Sequence, residues 1–401
     1  MLSRTFRAFG YRDFRLMWAG SFTSTTGTWM QTVAQSWVVL TLTNSALYLG
    51  LVGFVAELPI ILFTLVGGVV ADRIDRRHLL LGSQFTQMAM AFVLAALIYA
   101  GRIEIWHILV CAAINGTAQS FGGPAYQALV PGLVDKKDLA NAIALNSIQF
   151  NLARTVGPLL AGVALASLGA AWCFGLNGVS FMAVIATLFL IHSTFAPEKS
   201  GASVLADMSR GFAYVKERGA LWQLTILGFS STFLGIPMLT LLPVFARDIF
   251  HGDAAGYSIM LAFSGLGSVV GALGYASITS LQKRGMTALV VQGAFGCTLI
   301  AFALSRRLWL SWLLLVLGGM FLITVFASIT SLVQMQTDEK MRGRVMSIFM
   351  LAFRGGMPLG NLTAGLVAHK FSPTLALTVH GIVLLPIASL FLISKSAVKK
   401  L

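Results

Sequence analysis

Long stretches almost without charge are the feature that most constrains this chain. Residues 16–71 carry one charge, Glu57, and residues 139–197 carry one charge, Arg154. A helix needs about 20 apolar residues to cross a bilayer, so each stretch predicts two crossings. Eight further apolar stretches have the length of one crossing: 78–101, 105–134, 219–246, 254–282, 285–305, 308–337, 345–369 and 371–394. The pattern predicts twelve membrane spans.

The composition excludes an ordinary water-soluble protein. Hydrophobic residues make up 57% of the chain and charged residues only 10%, whereas soluble domains average about 25% charged residues. Alternating segments of about ten residues, which are typical of membrane β-barrels, are absent from the sequence. The three cysteines, Cys111, Cys173 and Cys297, have no metal-ligand spacing,. We therefore expect an all-α membrane protein without a cofactor or a bound metal.

Basic residues are concentrated on one predicted face of the membrane. Alternating the loops between two faces puts 21 Lys and Arg residues on one face and five on the other. The positive-inside rule then places the basic face, and both termini, in the cytoplasm. The net charge of +14 is better explained by contact with anionic lipid headgroups than by nucleic-acid binding. Residues 1–13 contain no apolar core before a cleavage site, so we expect the first span to be retained.

The chain divides by sequence into two six-span halves. We predict bundles over residues 1–194 and 221–401, joined by a cytoplasmic linker, 195–220. In the linker, apolar residues recur near helical spacing beside charges, which predicts an amphipathic interfacial helix; a solvated connector is the alternative. The halves also resemble each other at an offset of 200 residues. Asp138, Ser147, Ile148, Arg154, Pro158 and Leu159 recur as Asp338, Ser347, Ile348, Arg354, Pro358 and Leu359. Two such repeats are typical of transporters.

The junction of the second and third spans carries a recognisable pattern. Its members are Gly68, Asp72, Arg73, Arg76 and Arg77, in the order Gly-x-x-x-Asp-Arg-x-x-Arg-Arg. This resembles the signature of the major facilitator superfamily, except that Asp75 replaces the usual Gly. The resemblance implies two six-helix bundles related by a pseudo-two-fold axis. It also implies that Asp72 pairs with neighbouring helix ends to latch the outward-facing state. The arginines either join this latch or only anchor the topology.

Other stretches resemble the exporter branch that includes enterobactin exporters and macrolide-efflux permeases. They are Trp29-Met30-Gln31, Asn151-Leu-Ala-Arg154-Thr-Val-Gly157-Pro158 and Arg342-Gly-Arg344-Val-Met-Ser347. Gly157, Pro158 and Gly162 resemble the fifth-span motif of antiporters, with Ala161 in place of a Gly. Small residues there would let helices approach closely, and ordinary helix packing is the alternative reading.

Three charged residues lie deep within the predicted spans: Glu57, Arg154 and Arg354. Such residues are costly in a bilayer and are candidates for a functional site. The superfamily resemblance makes the second and eleventh spans neighbours, so we expect Glu57 to pair with Arg354. Glu57 is then either a proton switch or one half of a fixed ion pair. Arg154 is left to pair with backbone carbonyls or with the substrate.

The same resemblance implies that spans 1, 4, 7 and 10 line a central cavity. Polar residues recur in three of them: Thr28, Gln31, Gln35, Asn115, Gln119, Ser328 and Ser331. They are candidates for substrate contacts, or alternatively form hydrogen bonds between helices. Arg342 and Arg344 are candidates in the loop before the eleventh span. Sparse polar groups in an apolar cavity suit an amphipathic solute.

The sequence therefore predicts a monomeric secondary transporter in the cytoplasmic membrane, with protons, lipids and a small-molecule substrate as its partners. It would export a drug, a siderophore or a similar molecule by alternating access, by proton antiport. An uncoupled facilitator and a lipid or metabolite transporter of the same fold are alternatives. A membrane enzyme is disfavoured because the six histidines are scattered. A non-transporting receptor or assembly protein should tolerate loss of Asp72 and Glu57.

The charge bias gives a testable topology. Fusions of alkaline phosphatase after Arg102 or Arg307 should be active, because these loops are predicted outside the cytoplasm. Fusions after Lys137 or Lys340 should be inactive, and green fluorescent protein should fluoresce at those same sites. An odd number of crossings would contradict the prediction.

Overall fold

The computed structural model describes residues 6–191, 204–277, 284–393 and 398. Within these ranges the secondary structure is helical, with twelve long helices and a shorter helix, Val204–Glu217, here called the linker helix. The long helices are α1 (Arg12–Thr43), α2 (Ala46–Arg73), α3 (Arg76–Tyr99), α4 (Ile105–Leu129), α5 (Leu139–Ser167), α6 (Ala170–Leu190), α7 (Gly219–Ile249), α8 (Ala254–Ser277), α9 (Arg284–Leu304), α10 (Leu308–Met335), α11 (Arg342–Lys370) and α12 (Pro373–Ile393). The predicted all-α membrane architecture is confirmed.

Ten of these helices are long and apolar enough to cross a membrane by length and composition alone. The other two, α1 and α4, have 32 and 25 residues and so have the length to cross,. They contain the polar residues of the first and fourth predicted spans, which lower their hydropathy. Helices suit the bilayer because each satisfies its own backbone hydrogen bonds where lipid offers no partner.

Helix α7 is the least regular of the twelve. It runs from Gly219 to Gly235, resumes at Pro237 and ends in a π-helical turn, Phe245–Ile249. Pro237 has no backbone N–H to donate, so it begins a new helical segment at little cost. The span therefore consists of consecutive helical segments.

The chain forms two compact units. The first comprises Met1–Leu42, Val55–Gly201 and Ala254–Ile259; the second comprises Thr43–Phe54, Ala202–Asp253 and Met260–Leu401. The start of α2 thus groups with the second unit, and the start of α8 groups with the first. The predicted bundles, 1–194 and 221–401, do not include this exchange of two short segments.

Glycines let helices touch backbone to backbone in the first unit. A Cβ on Gly116 of α4 would collide with the carbonyl oxygen of Ala56, and one on Gly67 of α2 with that of Ser120. Contacts of this kind are how membrane helices pack closely, because association in lipid depends on shape rather than on water exclusion. Helices α2 and α4 are therefore in close contact at two positions along their length.

The second unit repeats this arrangement between α8 and α10. A Cβ on Gly267 would collide with the carbonyl oxygen of Val316, and one on Gly319 with that of Ser264. Gly67 and Gly267 are 200 residues apart in the chain. The offset that relates the two halves by sequence therefore relates these two glycines, although their partners differ by about one turn: Ser120 would correspond to Met320, and Gly267 meets Val316,.

A tyrosine–aspartate hydrogen bond also recurs where α5 and α11 begin. Tyr11 donates from its hydroxyl to Asp138 at 2.9 Å, and Tyr214 of the linker helix donates to Asp338 at 2.6 Å. Burial and the bond to Asp138 raise the pKa of Tyr11 to about 12. The bond from Tyr214 and the charge of Arg218, whose Nη2 lies 2.7 Å away, lower the pKa of Asp338. In each unit this bond joins the segment before the first helix to the fifth.

Substitution at Gly267 should destabilise the second unit. Gly267→Ala places a methyl group against the Val316 carbonyl, and overpacking of this kind costs about 1–3 kcal/mol,. Gly274→Ala in the same helix is the matched control, because nothing lies within 4 Å of its added Cβ. Thermal unfolding in detergent should show a lower Tm for Gly267→Ala only. Equal Tm values for both variants would contradict the close contact.

Loss of the Tyr214 hydroxyl should give a pH-dependent defect. Because the pKa of Asp338 is lowered in the folded protein, its contribution to stability is present above the ordinary Asp pKa of about 4 and is lost as the pH falls through the lowered value,. Tyr214→Phe should therefore lower the Tm at pH 7, and the deficit should shrink below pH 4. Tyr99→Phe, which alters a side chain that is 83% exposed, should change neither. A pH-independent deficit would contradict the assignment.

Candidate functional site

The junction of α2 and α3 is built around helix ends. Asp75 caps α3 by accepting a hydrogen bond from the backbone N–H of Arg77 at 2.8 Å, which gives this departure from the superfamily pattern a structural role. Arg76 donates to the carbonyl oxygen of Ala128 at 3.2 Å, in the last turn of α4. Arg77 donates to that of Ile191 at 3.4 Å, just after α6. Cations at helix C-termini are favoured by the helix dipole.

The latch itself stays a prediction. Gly68, Asp72 and Arg73 belong to α2, but their side chains lie outside the described residues. The described arginines, Arg76 and Arg77, tie α3 to α4 and α6 within the first unit. Their contacts support an anchoring role and leave a switching role untested.

The fifth-span motif packs α5 against two neighbours in the first unit. A Cβ on Gly157 would lie 2.5 Å from the Cβ of Trp29 in α1, and one on Gly162 would lie 3.0 Å from the Cβ of Ser258 in α8. Pro158 is buried within α5, which continues past it. The small residues of the motif thus allow two close helix contacts, one on each side of Pro158.

Arg154 lies one turn before Gly157 and contacts the same tryptophan. Its guanidinium carbon is 5.6 Å from the centre of the Trp29 ring, and Phe150 meets that ring edge-on at 6.2 Å. The Nε of Arg154 is buried and has no hydrogen-bond acceptor among the described residues. Of the other two intramembrane charges, Glu57 is half-buried in α2, and Arg354 is exposed on α11.

The polar candidates divide between helix contacts and exposed positions. Gln31 is buried and accepts a hydrogen bond from Asn177 of α6 at 2.6 Å, and Ser331 accepts one from Arg284 at 3.3 Å. Ser328 is fully buried. Of the remaining four, Thr28 and Gln119 are exposed, and Gln35 and Asn115 are half-buried. Gln119 also accepts a hydrogen bond from Gln87 of α3 at 3.5 Å.

The two arginines expected in the loop before the eleventh span lie instead in the first turn of α11, and they differ from each other. Arg342 is exposed, whereas Arg344 packs so closely on Gly211 of the linker helix that a Cβ there would lie 3.1 Å from its carbonyl oxygen. Arg344 therefore helps to seat the linker helix within the second unit.

Two asparagines that the sequence reading overlooked organise helix contacts. Asn177 bonds Gln31 and, through its side-chain oxygen, the hydroxyl of Ser180. Asn361 of α11 accepts from Thr240 at 2.7 Å, and its side-chain nitrogen would lie 2.8 Å from a Cβ on Gly53. Both are polar residues in apolar spans, and this signal is visible in the sequence outside the expected cavity helices.

An apolar groove of about 630 Å³ lies in the second unit, between the linker helix, α7 and α11. Phe212, Trp222, Phe229 and Ile348 are among its lining residues. It contains none of the polar or charged candidates from the sequence.

Known proteins of similar sequence are membrane transporters. The chain is 26% identical over 382 residues to the staphyloferrin A transporter of Staphylococcus aureus, covering 94% of this chain and 95% of that protein. It is 26% identical to the multidrug efflux pump Tap of Mycolicibacterium fortuitum, covering 87% of each. It is also 26% identical to the enterobactin exporter EntS of Citrobacter koseri, covering 85% of this chain and 79% of that one.

Solved structures share the fold. The nucleoside transporter NupG matches with a TM-score of 0.75 and 16% identity, over 95% of this chain and 98% of that one. The human organic anion transporter MFSD10 matches with a TM-score of 0.68 and 16% identity, over 94% and 99%.

A family model described as transmembrane secretion effector matches residues 3–400. The match covers nearly the whole chain, and the relatives of similar length are transporters rather than enzymes. The chain belongs to the transmembrane secretion effector family of the major facilitator superfamily.

Proposed function

We propose that this protein exports a hydrophobic or amphipathic small molecule across the cytoplasmic membrane. The observation that carries the proposal is the match to the transmembrane secretion effector family along residues 3–400. The names of relatives that cover most of the chain point the same way: one is a multidrug efflux pump and another is an enterobactin exporter. A drug, a siderophore or a molecule of similar character is therefore the proposed substrate class.

The mechanism we propose is alternating access. The repeated contacts of the two units, at Gly67 and Gly267 and at the two tyrosine–aspartate bonds, support two similar bodies that move as wholes,. Asp72 and its neighbouring arginines would hold one of the two states closed. The protein would work as a monomer, with both termini in the cytoplasm.

We also propose that export is driven by protons entering the cell, with Glu57 as the group that binds them. Glu57 is a half-buried carboxyl within an apolar span, where the balance between its neutral and ionised forms depends strongly on its surroundings. In this scheme Glu57 is ionised while paired with Arg354 in one state and is neutral in the other. The inward proton gradient would then favour outward movement of the substrate.

Everted membrane vesicles test the export proposal directly. With an acidic lumen, vesicles containing the protein should accumulate at least one member of a panel of siderophores, macrolides and cationic dyes. Nigericin, which collapses the pH gradient, should abolish the accumulation. Equilibration without concentration would identify an uncoupled facilitator. If no member of the panel moves faster than in vesicles lacking the protein, the export proposal fails.

The proton switch makes a separate prediction about Glu57→Gln. This variant should lose accumulation driven by the pH gradient, by tenfold or more, because the amide cannot bind and release a proton. Exchange of labelled for unlabelled substrate across equilibrated vesicles should persist, since exchange needs no net proton movement. Glu217→Gln, on the exposed end of the linker helix, is the control and should behave as wild type. Full gradient-driven transport by Glu57→Gln would reject the switch.

A further inference from the structure

The proposed function assigns no role to Arg154, one of the three charged residues within the spans. The structure gives it a cation–π contact with Trp29, and its buried Nε has no hydrogen-bond acceptor among the described residues. An arginine stays charged in proteins. A charge within a span is costly, and an intramembrane arginine is therefore a candidate for binding an anionic group.

The exposure of α5 shows from which side Arg154 can be reached. One face of the helix, which includes Leu159 and Val163, is exposed in the outer part of α5, as lipid contact requires; Val163 is 68% exposed. A second exposed face lies on the opposite side, because 100° per residue places Ile143 and Phe150 there. They are 54% and 49% exposed.

This second face ends at Arg154. Ser147, between Ile143 and Phe150 on the same side, is also exposed. One and two turns beyond Arg154, Gly157 is buried and Ala161 is 0% exposed. The accessible strip therefore runs from the start of α5, on the predicted cytoplasmic side, and stops at Arg154, a half-buried residue.

The neighbours of Arg154 suit a flat apolar group. Trp29 and Phe150 meet edge-on at 6.2 Å, and the missing Cβ of Gly157 lets the Cβ of Trp29 approach α5 closely. The tryptophan is thus held in place beside the cation. A planar cation with aromatic rings around it recognises a carboxylate attached to an aromatic group, because guanidinium binds carboxylate with two parallel hydrogen bonds and rings contact rings.

We propose that Arg154, Trp29 and Phe150 form a binding site for the carboxylate end of an aromatic or similarly flat anionic substrate. This inference rests on the proposed export function and narrows its substrate class to amphipathic anions. The equivalent position on α11 is Arg354, but Met350 there replaces Phe150. The aromatic site is accordingly assigned to the first unit.

Binding to the purified, full-length protein tests the site without any transport step. The probes are 2-naphthoate and 2-naphthylmethanol, which share the ring and differ in the carboxylate. In equilibrium dialysis, wild type should bind the acid at least tenfold more tightly than the alcohol. Arg154→Gln should remove that preference. Arg154→Lys keeps the positive charge but lacks the two parallel N–H donors of a guanidinium, and it should keep only part of the preference. Arg102→Gln, in an exposed loop, is the matched control for a lost charge.

A folded Arg154→Gln protein that retains the full preference would overturn the site, as would a wild type with no preference. Should the variants fail to fold, wild type still decides the question through phenylglyoxal, which modifies accessible arginines. 2-Naphthoate should protect the peptide containing Arg154 at least fivefold, and 2-naphthylmethanol should not; equal modification with both would overturn the site. The wild-type protein could also export uncharged or cationic members of the panel and show no preference for the carboxylate in the binding assay. That result would reject the carboxylate site but not the export function.

Discussion

The absence of hydrogen-bond partners in lipid is the constraint on which the rest of this structure depends. Each span must satisfy its own backbone groups, and so each span is a helix. Helices that cannot use water exclusion to associate must use shape instead. Gly67, Gly116, Gly267 and Gly319 meet this need by letting one backbone contact the carbonyl oxygen of another. Polar side chains in the spans then pair across helices, as Gln31 does with Asn177.

The two units share several helix contacts and hydrogen bonds. Gly67 and Gly267, which are 200 residues apart, each meet a carbonyl oxygen of a neighbouring helix, and Tyr11 and Tyr214 each bond the aspartate that precedes a fifth helix. The differences between the copies are where function is expected to reside. Arg154 lies over Trp29, and Phe150 meets the same ring, in one unit, whereas the matching Arg354 follows Met350 in the other. We therefore attribute the contacts that recur in both units to the stability of the fold, and the contacts found in one unit to its proposed function.

Much of the fold follows from the sequence, and less of the site does. The linker helix, Val204–Glu217, lies where apolar spacing favours one, and the twelve long helices lie within a few residues of the predicted spans. The residues that line the cavity were predicted less well. Gln31 and Ser328 lie on helices implied to line it, yet one bonds a neighbouring helix and the other is fully buried. A polar stripe shows that a helix face avoids lipid, but it does not distinguish a neighbouring helix from an aqueous space.

The sequence by itself determined the helical form of the long apolar segments, their approximate positions and the family, whereas the bias of charge between the two faces stays a prediction. These properties depend on the transfer free energy of each segment and on loop charges, which are local quantities. Only the tertiary structure decided that α5 meets α1 through Gly157, that Arg154 lies over Trp29, and that the first turns of α2 belong to the second unit. The rotation of each helix about its own axis is set by packing against its neighbours, and those neighbours are distant in the chain.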